Sequence, residues 1–380
     1  MGLSDDPRLD RAFLEAHGFD AERFDEEVAQ LKAGQLTAEG SIIRAPMAPV
    51  PTRDLDRSAE ARRLGEAALE RGEVAVVVLN GGMATRFGGV VKGVVEVAED
   101  KSFIGLKAED LRRAGERFGP KPVFVLMNSF ATAGATAVHL AQNNYFGLDP
   151  ERVLSFEQTI SARLTPNAEL FIGRDGKPSF HAPGHGDFFP CIRNSGVLDR
   201  LRSMGVKHVL FSNVDNLGAT LDPQVIGHHL GAEAQMTVEV TEKRRVAGQW
   251  DKGGAPALVD GRPIIVEGFR FPAEFEQSEL PDFSTNTFHF ELKALDRSFR
   301  LPRHVVIKEV DGQGAIQLES IACEASHLLE PDGSPSFRLE LCRVSRDDAE
   351  GRFFPVKRPD DLERLKSTLM ERLRGEWTRR

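Results

Sequence analysis

The sequence predicts an α/β protein built on a mixed, mostly parallel sheet, with a helical region in front of it. Two observations carry this expectation. Residues 74–79, VAVVVL, are apolar without a break and run directly into a glycine-rich turn, the pattern of a strand buried on both faces. Further apolar runs then recur with helical stretches between them, at the spacing of β–α–β units. With 380 residues, 41% of them hydrophobic and 28% charged, the chain can bury one large core or two.

In chain order, Ser4 or Asp6 is placed to cap a first helix through Phe13 and Leu14 that stops at Gly18. Asp20 caps a second, with Phe24, Val28 and Leu31 on one face and Gly34 behind it. Residues 38–54 read as a Pro- and Ala-rich connector, and 56–71 as a third helix ending at Gly72. Strands are expected at 74–79, 122–127, 153–156, 206–213 and 236–240, with helices at 132–143 and 194–204. Shorter alternating runs at 263–267, 287–291, 305–309 and 337–341 predict an antiparallel or mixed subregion. A last helix is expected over 359–375.

Composition narrows the function. Asp and Glu number 58 against 49 Lys and Arg, a net charge of −9, which argues against a broad basic surface for nucleic acid or anionic lipid. No apolar run is long enough to span a membrane. The N-terminus lacks the basic and apolar regions of a signal peptide, and Gly2 lacks the context for myristoylation. Cys191, Cys323 and Cys342 lie far apart without CxxC spacing, so neither a disulfide framework nor a zinc site built on Cys pairs is indicated. The expectation is a soluble cytoplasmic protein with no nucleic-acid or membrane partner.

Chemistry is suggested first by Leu79-Asn80-Gly81-Gly82-Met83-Ala84-Thr85-Arg86-Phe87-Gly88-Gly89, placed directly after the buried strand. Glycines there let the backbone approach a phosphate chain and offer it N–H groups. The spacing is neither GxGxxG nor a Walker A loop, and a plain strand-to-helix turn would use the same glycines. Lys92 follows in the same segment, where its point charge suits a phosphoryl group in transfer. Lys101 is a rival, but Glu99 and Asp100 beside it suggest a solvated turn. Asp215, in Ser212-Asn213-Val214-Asp215-Asn216, should stand at the carboxyl end of a strand, where open α/β sheets bind ligands. A lone carboxylate there suits Mg²⁺ carried on nucleotide phosphates, although an Asn/Asp turn alone would look alike. His181, His185 and Asp187 are zinc-ligand types, but Pro183, Gly184 and Gly186 make their HxxxH a loop. His228 and His229 are adjacent, so they point apart and read as structural or exposed. No nucleophile constellation is present, which fits direct displacement at phosphorus.

Taken together, these segments resemble the UTP–glucose-1-phosphate uridylyltransferase (UDP-glucose pyrophosphorylase) family. The matching stretches are LNGGMATRFG at 79–88, VLMNSFAT at 125–132, FEQ at 156–158, PGHGDFFP at 183–190 and SNVDNLGATLD at 212–222. KGG at 252–254, VEGF at 266–269, STNTF at 284–288, IQLES at 316–320 and FFPVK at 353–357 follow in order, over about 280 residues in all.

The resemblance implies a GT-A-like, Rossmann-like nucleotidyltransferase fold and a reversible reaction that makes UDP-glucose and pyrophosphate from UTP and glucose 1-phosphate with Mg²⁺. It implies a helical region at 1–72, a catalytic domain at 73–345 and a C-terminal segment at 346–380. Leu79, Asn80, Gly81 and Gly82 match the loop that holds the uridine and phosphates, and Lys92 and Lys357 match phosphate lysines. Gln158 and Gly184 match uracil readers, with Met127 as the wall beside them. His185, Asn213 and Asp215 match the sugar-phosphate and Mg²⁺ side, and Glu267 and Asn286 match sugar-hydroxyl contacts. Two departures stand out. Ala84 replaces a usual glycine, and the chain stops about two dozen residues after Lys357, leaving no room for the C-terminal β-helix common in the family. A monomer or weak dimer is therefore expected. The alternatives are an N-acetylglucosamine 1-phosphate or broader UDP-sugar enzyme, and a non-catalytic UDP-sugar-binding regulator.

Overall fold

Residues 74–79 form the buried strand that their apolar run predicts, and its side chains sort by parity. Ala75 and Val77 enter one hydrophobic core, while Val74, Val76 and Val78 enter another on the opposite face. The structure, a computed structural model, describes residues 2–84, 90–98, 101–119, 122–246, 249–251, 253–346 and 350–357, with 360, 361 and 365. Of the segments read above, 85–89, Glu99, Asp100, Lys252 and most of the helix expected over 359–375 lie outside the described residues.

The central sheet has eight strands: β1 Arg53–Asp54, β2 Val74–Leu79, β3 Val123–Asn128, β4 Val153–Glu157, β5 His208–Asn213, β6 Met236–Glu242, β7 Asp282–Glu291 and β8 Leu339–Arg343. Across the sheet they run β1-β8-β6-β7-β5-β2-β3-β4. Only β7 opposes its neighbours; the other pairings are parallel. The sheet is thus mixed and largely parallel, as expected.

The α-helices of the described residues include α1 Arg11–Ala16, α2 Ala21–Lys32, α3 Ala59–Glu70, α4 Phe103–Phe118, α5 Ala133–Gln142, α6 Phe188–Asn194, α7 Val197–Ser203 and α8 Pro223–Gly231. Helices α6 and α7 cover one face through Phe188, Phe189, Ile192 and Leu198. Helices α3, α4, α5 and α8 supply Leu69, Ile104, Leu111, Leu140 and Ile226 to the other. At the α3–α8 crossing the backbones nearly touch. A Cβ on Gly65 would lie 1.8 Å from the Pro223 carbonyl oxygen, and one on Gly227 1.6 Å from that of Ala61. Among the described residues no helix is long and apolar enough to cross a membrane.

Three local expectations change. Helix α1 is capped by Asp10, whose Oδ1 accepts from the Phe13 N–H at 3.0 Å, while Ser4 bonds to Asp25 and Asp6 to Arg8. The connector is structured, since Met47–Ala48 joins a small antiparallel sheet and β1 joins the main one. The later alternating runs divide: β7 and β8 enter the central sheet, whereas Ala255–Val259 with Arg262–Val266, and His304–Val310 with Gln313–Glu319, form separate hairpins.

Candidate active site

Because β2 and β5 are parallel neighbours, with Leu79 opposite Asn213, the loops at their carboxyl ends emerge side by side. Half-buried Leu79 hands the chain to Asn80, which is wholly buried and fastens the glycine loop to the scaffold. The Asn80 backbone N–H donates to the Met127 carbonyl at 2.8 Å, and its Nδ2 donates to Asn128 Oδ1 and Thr136 Oγ1, each at 2.8 Å. Gly81 has no room for a side chain, because a Cβ there would lie 2.5 Å from Gln158 Oε1. Gln158 Nε2 donates to the Gly184 carbonyl at 3.0 Å. Gly184 has φ of +93°, and its hypothetical Cβ would lie 2.4 Å from the Ser320 carbonyl oxygen, so only glycine fits. The fold therefore gathers Gly81, Gln158 and Gly184 from three separate segments, with buried Met127 on the adjoining strand β3. Exposed Gly82 accepts from the Lys92 N–H at 3.3 Å, where a hairpin pairs Met83 and Ala84 with Val91 and Val90.

A second group surrounds Asp215. A cavity of about 370 Å³ is lined by His185, Asn213, Asp215, Glu267, Asn286 and Lys357, six residues drawn from five segments. The Lys92 ammonium contacts the Asp215 carboxylate from the neighbouring loop. Lys357 is delivered by a backbone splice: the Val356 N–H donates to the Asp215 carbonyl at 3.0 Å, and the Leu217 N–H to that of Phe354 at 3.2 Å. Asn286 occupies an irregularity where the β6–β7 register shifts, and its φ of +55° is one that Asn tolerates. Its Nδ2 donates to Asn213 Oδ1 at 3.0 Å.

Two titratable groups there are tuned by burial. His185 is pushed down to about 4, so its ring is neutral at physiological pH. Its Nδ1 accepts from the Ala322 N–H at 3.1 Å, which leaves the proton on Nε2 as a donor. Burial pushes the Glu267 carboxyl above its usual range, with Glu324 adding to the effect and the Gly268 N–H opposing it. A larger cleft of about 940 Å³ runs along β4, but Gln158 alone of the expected residues borders it. The smaller cavity, with charges of both signs, is the candidate site.

A sequence profile of the UTP–glucose-1-phosphate uridylyltransferase family matches residues 27–379. The chain belongs to this family. It is 30% identical over 322 residues to UTP–glucose-1-phosphate uridylyltransferase 2 of Dictyostelium discoideum, covering 80% of this chain and 60% of that one. A Hordeum vulgare UTP–glucose-1-phosphate uridylyltransferase is 30% identical over 358 residues, covering 90% and 70%. The chain thus spans about 60–70% of the length of these two relatives. The crystal structure of a Trypanosoma brucei UDP-glucose phosphorylase aligns with a TM-score of 0.74 at 25% identity, over 92% of this chain and 76% of that one.

Within this uridylyltransferase-family fold, the side chains weighed above for zinc, and disfavoured there by their loop sequence, have other partners. Buried His181 uses Nδ1 on the Ala182 carbonyl at 3.1 Å, and burial holds its ring at about 3. Asp187 accepts from the Thr159 N–H at 3.0 Å, and His185 is engaged at Ala322. Among the described residues no three His, Cys, Asp or Glu side chains are arranged to hold a metal. His228 and His229 are both buried, on Asp56 and Thr237 respectively. Lys101 lies in a two-residue strand with its ammonium 3.9 Å from Glu109, not in a free turn. For Ala84 only the backbone pairing is described.

Two buried polar assemblies escaped the sequence reading. Arg352, 1% exposed, donates to both carboxylate oxygens of Glu239 at 2.7 Å, and His289 Nε2 lies 2.8 Å from the same group. Burial would raise Glu239, but Arg352 and the hydrogen bonds hold it at about 2. The Arg352 carbonyl and Thr287 Oγ1 both take Asn216 Nδ2 at 3.2 Å, while Asn216 Oδ1 accepts from the Phe354 N–H at 3.0 Å. The second assembly centres on Lys107, whose ammonium donates to the carbonyls of Asn216 and Ala219 at 2.7 Å each. A lone lysine or arginine in a charged stretch carries no mark of burial. The only available clue was that Lys107 falls among Phe103, Ile104, Leu106 and Leu111.

Proposed function

We propose that this chain catalyses uridylyl transfer between UTP and glucose 1-phosphate, releasing pyrophosphate and UDP-glucose. One observation carries the reading: Asp215, Lys357, Asn213, Asn286, Glu267 and His185 line a single cavity, with Lys92 on the Asp215 carboxylate. The sugar phosphate brings its own nucleophile, since a phosphomonoester oxygen with a second pKa of about 6 is largely ionised at neutral pH. No general base is needed. The task is to bring two anions together and to balance charge on the α-phosphoryl group and the departing pyrophosphate, for which Lys92 and Lys357 have the right sign.

The donor set at Asp215 fits Mg²⁺ better than zinc, because one carboxylate beside neutral Asn213 suits an ion that keeps water and phosphate oxygens. Bound there with the nucleotide, Mg²⁺ would withdraw charge from the phosphoryl oxygens. His185, neutral with its proton on Nε2, donates to a phosphate or hydroxyl oxygen without adding charge. Glu267 and Asn286 are the sugar-hydroxyl partners. With one Nε2 hydrogen on the Gly184 carbonyl, Gln158 keeps Oε1 as an acceptor for uracil N3–H and a second N–H as a donor for a uracil carbonyl.

A pyrophosphate-release assay with Mg²⁺ tests the reading. UTP with glucose 1-phosphate should turn over well above ATP, CTP or GTP, and above UTP with N-acetylglucosamine 1-phosphate. Comparable use of ATP would overturn the assignment of Gln158, and preference for the acetamido sugar would reassign the substrate. Binding of UDP-glucose without any turnover would mark the chain as a non-catalytic sensor.

A further inference from the structure

We propose that Lys107 is a positioning residue that sets the location of Asp215, an inference that rests on the proposed uridylyl transfer. Helix α4 starts at the Ser102 cap and buries Phe103, Ile104, Leu106, Lys107, Ala108, Leu111 and Ala114. Lys107 is 2% exposed. Its ammonium is gripped by the loop after β5, which curls so that the carbonyls of Asn216 and Ala219 both point at Nζ at 2.7 Å. One turn further along the helix, Asp110 Oδ2 accepts from the Leu221 N–H at 2.9 Å. Helix α4 thus holds the 216–221 loop at three points, using a donor and an acceptor of opposite charge.

The neighbour of Asp215 is therefore fixed from both sides. The Asn216 carbonyl is held by Lys107, and its side chain by Thr287, Arg352 and Phe354. The Asp215 carbonyl is held by the segment that brings in Lys357. The first residue of the same helix is tied to the segment of Lys92, the Phe103 N–H donating to the Val95 carbonyl at 3.2 Å. The segments of Lys92 and Asp215 are consequently both tied to helix α4. Charges that act on a transferring phosphoryl group lose about a hundredfold in rate when misplaced by about an ångström. A buried ammonium shared between two loop carbonyls is a device for preventing that.

The test is Lys107→Met, which keeps an unbranched apolar stem of nearly the same length and removes the donors. The turnover number should fall 10- to 100-fold while KM for UTP and for glucose 1-phosphate stays within threefold, and half-saturating Mg²⁺ should rise at least threefold. Amide hydrogen exchange should quicken at least tenfold in 214–221 and 352–357 and stay unchanged in β2 and β3. A folded Lys107→Met with unaltered turnover overturns the proposal, as does exchange that quickens uniformly across the sheet. If that variant does not fold, Lys107→Gln, with a shorter donor left, must show the same loop-confined exchange; unchanged exchange there counts equally against the idea. The exchange measurement needs no turnover. A chain inactive towards UTP would sink the proposed reaction and still leave the Lys107 clamp to be decided.

Discussion

Removing the Lys92 ammonium should lower two quantities together, the turnover number and the half-saturating Mg²⁺ concentration. In Lys92→Ala the transferring phosphoryl group loses one aligned charge, a loss that typically costs 10²–10³-fold in turnover, or about 3–4 kcal/mol. The same substitution frees the Asp215 carboxylate, which Lys92 contacts in the structure. Two unit charges at about 4 Å attract by about 1 kcal/mol in water and about 4 kcal/mol at the effective dielectric near a protein surface. The side chains are 20% and 12% exposed, so an intermediate figure of about 1–2 kcal/mol applies. Half-saturating Mg²⁺ should accordingly drop by roughly five- to thirtyfold, since each 1.4 kcal/mol is worth a factor of ten. Initial rates of pyrophosphate release, titrated with Mg²⁺ at saturating UTP and glucose 1-phosphate, yield both numbers. Lys101→Ala is the control, because its ammonium faces Glu109 on α4, and it should be nearly silent. Abolished transfer in Lys101→Ala beside intact transfer in Lys92→Ala would refute the placement. So would a Lys92→Ala enzyme that is slow but needs more Mg²⁺.

Three further outcomes are expected. Asp215→Asn should raise half-saturating Mg²⁺, with part of the lost turnover recovered at high Mg²⁺; a defect insensitive to Mg²⁺ would remove Asp215 from the metal side. Gly184→Ala, at φ of +93° and with its Cβ driven against the Ser320 carbonyl, should cost about 1–3 kcal/mol in urea melts and raise KM for UTP. Glu239 is held at about 2 against an ordinary 4.5, so its stabilising contribution is complete above pH 4.5 and lost as pH falls towards 2. Glu239→Gln removes the carboxylate that Arg352 grips at 2.7 Å, leaving among the described residues only Asp222 at 3.7 Å as counter-charge, and should cost about 3–5 kcal/mol at neutral pH, with a flattened acid limb in the stability profile. An acid limb identical to that of the unaltered protein would show that other carboxylates govern it.

The sequence made most of the sheet legible because its strands are covered on both sides. VAVVVL has no polar position since both parities are buried, and VFVLM at 123–127 on the adjoining strand reads the same way. The Asp215 loop was legible for a related reason, as an Asn/Asp cluster stands out directly after such a run. What stayed hidden depends on distant pairing. Arg53–Asp54 is two polar residues whose strand character comes only from lying beside Cys342 and Arg343. Helix α4 escaped notice, although Ser102 caps it, because the acidic turn before it dominated the reading. Lys107, Glu239 and Arg352 are ordinary surface types until the fold supplies their partners.

The splice between the Asp215 loop and residues 352–356 also sets a timetable for synthesis. Asn216 meets the Arg352 carbonyl 136 residues later in the chain, and Glu239 waits 113 residues for its guanidinium. While a ribosome is still translating the intervening stretch, β5 and β6 are already made, but the Asn216 amide lacks the Arg352 carbonyl and the Glu239 carboxylate lacks its guanidinium. The parallel sheet around them stays provisional, because loop closure over such a span must precede the contacts that reward it. When Arg352 arrives, one short segment neutralises Glu239, satisfies Asn216 and sets Lys357 beside Asp215. Neutralising Glu239 and setting Lys357 beside Asp215 thereby become the same event.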